Sequence, residues 1–167
     1  MGADIKALRT RIKSVSSTLH LTKAMGLVAS SKIRRANEHM LKSRQYAAAV
    51  EETVALLAAC GECRKSPYMR QGGDKTMLVV IAGDRGLAGG YNSNILKAVE
   101  ADAQGSDYCV LPIGKKAVEH FDRRKAEILT TSFAEAGDLS VSDCFEISRL
   151  VCRKFLAGEF DEIRLGF

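Results

Sequence analysis

The sequence predicts an α/β protein: a long N-terminal coiled-coil helix followed by a smaller domain built on a mainly parallel sheet. Three observations carry this. Residues 1–60 contain no proline and keep a heptad pattern, residues 61–75 (GECRKSPYMRQGGDK) form a polar break with Pro67, and residues 76–167 alternate apolar strand-like runs with helical segments.

From Ala3 to Cys60 the only glycine after Gly2 is Gly26, and the stretch is dense in Ala, Leu, Lys, Arg and Glu, all strong helix formers. With Ile5 at position a, the a positions are Ile5, Ile12, Leu19, Gly26, Ile33, Met40, Ala47 and Val54. The d positions are Leu8, Val15, Thr22, Ala29, Ala36, Ser43, Val50 and Leu57, so thirteen of sixteen seam positions are apolar. An unbroken 3.5-residue repeat predicts a left-handed coiled coil. At 1.5 Å per residue such a helix is about 80 Å long, far more than a domain of the remaining residues can cover. The seam therefore needs a partner, either a second helix beyond Phe167 or another subunit.

A homodimer is the simplest partner. However, the flanking e and g positions include Arg9, Arg11, Lys23, Lys32 and Arg44 against only Asp4 and Glu51, and self-pairing would double that positive field. Near its middle the helix turns to small residues, Thr22, Ala24, Gly26, Ala29, Ser30 and Ser31, which read either as a weakly packed stretch or as a contact zone for a surrounding protein.

The charge lies mostly here. Residues 1–60 hold ten Lys or Arg against four acids, +6, and residues 61–167 hold fifteen against sixteen, −1, giving the chain its +5. A basic run could meet nucleic acid phosphates, but Tyr46 is the only aromatic in the first sixty residues and the charges lie alongside the heptads rather than before them, which fits neither a stacking platform nor a basic zipper. A solvated face or an acidic protein surface fits better.

The longest apolar runs, such as Met77–Ala82, are too short to cross a bilayer, and MGADIKALRTRIK lacks the apolar core of a secretory signal, so a cytoplasmic chain is expected. A Met-Gly start suits myristoylation, but Lys6 stands where that motif needs Ser or Thr. The cysteines, Cys60, Cys63, Cys109, Cys144 and Cys152, read as reduced thiols. Cys60 and Cys63 form CGEC, a redox pair or half a zinc site in principle, yet no second pair of ligands completes it; a helix end bearing two thiols is the simpler reading.

In the second part, Met77–Ala82 is a strand buried on both faces, followed by the glycine-rich GDRGLAGGYN and a helix over Ser93–Ala103 capped by Asn92 or Ser93. Tyr108–Ile113 is a second strand, Lys115–Arg123 a helix, Glu127–Phe133 a third strand, Ser140–Leu156 a helix, and Glu162–Phe167 a further strand. This alternation predicts helices on both faces of the sheet. The spacing Gly83, Gly86, Gly89, Gly90 is neither GxGxxG nor GxxxxGK[ST], so the glycines are expected to serve a tight turn in which Asp84 and Arg85 bond neighbouring loops. His20, His39 and His120 stand beside no nucleophile, and no catalytic, cofactor or metal site is expected.

Two segments resemble the gamma subunit family of F-type ATP synthases: IKALRTRIKSVSSTLHLTKAMGLVASSKIRRA (Ile5–Ala36) and LVVIAGDRGLAGGYNSNILK (Leu78–Lys97). The first resembles the family's N-terminal signature, with TKAM at Thr22–Met25 and SK at Ser31 and Lys32; the second resembles its DRGLCGGFN motif, with Ala88 and Tyr91 replacing Cys and Phe. The resemblance runs in order through essentially all of the chain. It implies a Rossmann-like domain that binds no nucleotide, and a C-terminal helix beyond Phe167 that pairs antiparallel with the first. It implies a non-catalytic central-stalk rotor of a proton-translocating ATP synthase, peripheral at the cytoplasmic face of the bacterial inner membrane. Its partners would be the alpha and beta subunits of the catalytic ring, the epsilon subunit and the membrane c-ring. The resemblance points to Lys23, Ala24, Met25, Val28, Lys32 and Arg35 as ring contacts, and places Asp84, Arg85 and Asn92 towards epsilon and the c-ring. The photosynthetic members' regulatory dithiol lies in a later insertion, which Cys60 and Cys63 do not match. The alternatives are a homodimeric coiled-coil adaptor, marked by paired first helices, and a small nucleotide-binding module, marked by binding that depends on Gly86 or Gly89.

Overall fold

A computed structural model describes residues 2–70 and 72–167; Met1 and Gln71, which belong to the expected helix and linker, lie outside the described residues. The chain divides into two compact units, Met1–Cys60 and Gly61–Phe167. The first is one helix, α1 (Gly2–Ala59), 58 residues long and so about 87 Å at 1.5 Å per residue. Every side chain of α1 from Asp4 to Ala59 is exposed, including those of the heptad seam.

The second unit begins with the segment expected to link the two parts. It holds two short 3₁₀ turns, Cys63–Lys65 and Pro67–Met69, the second favoured by Pro67 at its first helical position and Ser66 as its cap. The sheet follows: β1 (Lys75–Ile81), α2 (Tyr91–Asp102), β2 (Asp107–Ile113), α3 (Lys115–Arg123), β3 (Glu127–Ile128), α4 (Val141–Leu156) and β4 (Glu162–Gly166). The order is β3-β2-β1-β4 and every pairing is parallel, with Met77 opposite both Cys109 and Ile163.

β1 lies between two strands with helices on both faces, which accounts for its continuous apolar run. Its alternate residues divide between two cores. Leu78 and Val80, with Ala82 just past the strand, join Val110, Leu96, Ala117 and Phe121 beneath α2 and α3. Met77 and Val79 join Cys109, Leu111, Phe133 and Phe160 beneath Ile147, Leu150 and Val151 of α4. Burial pushes the Cys109 thiol up to about 11, and nearby Glu127 adds to the shift, so this thiol is structural.

Two boundaries differ from expectation. β3 is two residues long, not seven: Leu129 still donates to the Val110 carbonyl, but at Thr130 the side chain bonds Ser132 and turns the chain off the edge. α2 starts at Tyr91, so Asn92 and Ser93 lie inside its first turn and neither is its cap. α4 carries a full capping box: Asp143 N–H donates to Ser140 Oγ and the Asp143 carboxylate accepts from the Ser140 hydroxyl and the Ser140 N–H, which together hold that carboxyl below its usual range.

Gly114 joins β2 to α3 with φ +95°, and a Cβ there would sit 2.0 Å from the Ala82 carbonyl oxygen. Gly114→Ala is therefore expected to cost about 2–3 kcal/mol or more, from left-handed strain plus a backbone clash. Gly86→Ala, where a Cβ meets nothing within 4 Å, should change little. Urea unfolding of the two variants checks the contrast.

Candidate functional site

Two regions carry the expected functional residues. The first is the middle of α1. At 100° per residue, Ala24, Met25, Val28, Lys32 and Arg35 share an arc of about 100° that runs from beside the heptad seam (Met25, Lys32) round to the face opposite it (Ala24), while Lys23 borders the seam on its other side. The structure thus brings together five of the six expected ring contacts and separates Lys23 from them. All six are exposed, Met25 at 68% and Val28 at 59%, so apolar and cationic groups are presented side by side. Between them the seam narrows to Thr22, Gly26 and Ala29. Thr18 and Thr22 donate their hydroxyls to the carbonyls of Ser14 and Thr18, at 3.0 and 2.8 Å, folding two polar groups back onto the helix.

The second region is the carboxyl end of the sheet, where parallel α/β domains hold ligands at the point where strand order reverses. Here that point is β1, with β2 on one side and β4 on the other. The loop after β1 is tied down by its own side chains. Asn92, from the first turn of α2, accepts from the Gly83 N–H at 2.8 Å and donates to the Arg85 carbonyl at 3.3 Å. Asp84 reaches the next two loops: Oδ1 accepts from the Lys115 N–H (3.2 Å) and the Ala136 N–H (2.9 Å), and Oδ2 from the Gly137 N–H (2.8 Å). Burial alone would raise the Asp84 carboxyl, but three N–H donors and the Lys115 charge outweigh it and hold the group below its ordinary value of 3.8. Lys115 also pairs with Glu135 at 2.6 Å, bracing the same corner.

The expected bonding of neighbouring loops is thus carried by Asp84 and Asn92, whose polar atoms are engaged internally, while the Arg85 side chain is exposed. The N–H at the start of α3, where a phosphate would be drawn, is met by the Asp84 carboxylate. Of the four glycines, only Gly89 uses a positive φ, +58°; Leu87, a non-glycine at φ +61°, takes the other left-handed position and is fully exposed. Lys115, Ala136 and Gly137 were not legible as partners of Asp84, because they lie 31, 52 and 53 residues away and contribute only backbone donors.

Cys60 lies just past α1 and Cys63 opens the first 3₁₀ turn. Among the described residues no group of three His, Cys, Asp or Glu is placed to hold a metal, and no helix is long and apolar enough to cross a membrane.

The class defined by this geometry is a long helix with an uncovered heptad seam, carried with a parallel α/β domain whose ligand-binding corner is filled by its own Asp84. Residues 4–167 match the protein family described as ATP synthase. The chain is 38% identical over 168 residues to the ATP synthase gamma chain of Desulforamulus reducens, covering 99% of this chain and 59% of that one. It is 37% identical over 170 residues to that of Ruminococcus albus, with 99% and 59% covered, and 37% identical over 173 residues to that of Synechococcus elongatus, with 99% and 55% covered. The chain belongs to the ATP synthase gamma-chain family. It spans 55–59% of the length of these three curated relatives.

Replacing Asp84 with Asn leaves one acceptor oxygen for three donors. We expect Asp84→Asn to lower stability at pH 7 by about 1–3 kcal/mol. Because the native carboxyl is depressed, its contribution is present above pH 3.8 and is lost as pH falls through the lowered native value. Urea midpoints at pH 7 and pH 3 should therefore differ less in the variant than in the parent.

Proposed function

We propose that this chain is a non-catalytic central-stalk segment of a proton-translocating F-type ATP synthase, which turns with the membrane c-ring and couples that rotation to ATP synthesis or hydrolysis. The observation that carries the reading is the uncovered seam of α1 in a chain of the gamma-chain family. An exposed heptad stripe has to be covered, and a second, antiparallel helix within a ring of alpha and beta subunits would cover it. Residues 1–60 act as the shaft, 61–75 as the connector and 76–167 as the domain at its foot. The complex holds the chain at the cytoplasmic face of the membrane as a peripheral subunit, with the loop Asp84–Asn92 turned towards epsilon and the c-ring. Arg85 makes the contact there, while Asp84 and Asn92 fix the shape of the loop.

A shaft with a basic, apolar stripe on one flank is asymmetric, and asymmetry is what rotation requires. As Met25, Val28, Lys32 and Arg35 face each catalytic site in turn, they favour one of its conformations by differential contact, and the nucleotide affinity shifts with it. Coupling between sites carries typically about 1–3 kcal/mol, or 5- to 150-fold. Lys23, on the other flank, would meet a different subunit at any instant.

The test is charge reversal in reconstituted enzyme. Lys32→Glu with Arg35→Glu should cut ATP-driven proton pumping per ATP hydrolysed by about five-fold or more. Lys23→Glu alone should do less. Unchanged pumping in the double variant would remove this face from the coupling surface.

A further inference from the structure

Among the described residues, Tyr68 and Arg70 tie the connector between α1 and β1 to the rest of its domain. The ring of Tyr68, itself half exposed, runs parallel to that of the buried Phe155 of α4, with centroids 6.3 Å apart and planes 2° apart. The Arg70 guanidinium stands over the same ring, 4.5 Å from its centroid. Its Nη2 donates to the carbonyl of buried Phe160 and lies 4.0 Å from the Asp161 carboxylate. Asp161 in turn accepts from the Lys75 N–H at 3.3 Å, and its own N–H donates to the Lys75 carbonyl at 2.8 Å. Two aromatic side chains, one cation and one carboxylate thus gather the connector, the end of α4, the chain entering β4 and the start of β1.

Arg70 occupies this place at a cost. Its Nε is buried without a hydrogen-bond partner among the described residues, although so long a side chain could place its head in water. The connector before it is otherwise on the surface: Glu62, Arg64, Lys65, Pro67 and Met69 are exposed. A pull transmitted along the chain from α1 therefore reaches the anchorage at Tyr68 and Arg70 ahead of β1, which is held by ladders on both sides.

We propose that Arg70, assisted by Tyr68, is the positioning residue through which force passes between α1 and the domain. The proposal rests on the rotor reading only for the origin of that force. The test is single-molecule pulling on the 167-residue chain with handles at Ala58 and Lys125. The parent should show an early step, lengthening by up to roughly 35–40 Å as the stretch from Cys60 to Arg70 is peeled away at ~3.3–3.6 Å per residue, before the sheet unfolds. In Arg70→Ala that step should vanish or fall to clearly lower force with the sheet unfolding as before, and Arg70→Lys should restore part of it. Tyr68→Ala should weaken the same step and supplies the comparison if Arg70→Ala does not fold. An early step at parental force in the variants overturns the proposal, as does a loss seen only together with weaker sheet unfolding, which would make Arg70 merely part of the core. Failure of the rotor reading would appear separately, as absence of the chain from an ATPase assembly.

Discussion

The rest of the structure depends on one requirement, that the apolar seam of α1 be covered. Burying a large aliphatic side chain is worth about 1.5–3 kcal/mol, and α1 leaves Ile5, Leu8, Ile12, Val15, Leu19, Ile33, Met40, Val54 and Leu57 each more than half exposed. Most helical stability in proteins comes from packing an apolar face, so this stripe favours a partner. A rotor shaft is a direct solution. One flank of the helix can be pressed to a partner along its whole length, while the other offers changing contacts to a surrounding ring.

The domain answers a different requirement, rigidity at the carboxyl end of its sheet. In many parallel α/β proteins that end stays open for a phosphate. Here Asp84 fills it and Asn92 holds the loop leading into α2, so the loops after three strands are tied together by hydrogen bonds. The shape of this corner is held by its own side chains. The Arg85 side chain and Leu87 are exposed on it.

Much of this was legible in the residues. The heptad from Ile5 to Leu57 foretold α1, and the β-branched run Met77–Ala82 foretold a central strand, because both patterns are local consequences of which faces are covered. The two motifs at Ile5–Ala36 and Leu78–Lys97 foretold the family. What escaped depended on distance or on side-chain detail. Thr130 ends β3 early by bonding Ser132, and the connector meets the domain where Tyr68 and Arg70 reach Phe155, more than eighty residues on. Asp84 could be expected to bond neighbouring loops, but backbone donors at Ala136 and Gly137 leave no mark in a sequence. Helical geometry, once the six residues sit on one continuous helix, is what divides Lys23 from the other five.

The most direct test of the rotor reading is to tag the chain in its own cell, solubilise the membranes gently, and identify what is recovered with it together with any ATPase activity. The account predicts recovery of a nucleotide-binding ring and a membrane ring that hydrolyse ATP as one complex. Recovery of the chain only with a second copy of itself, paired through α1 and without ATPase activity, would contradict it.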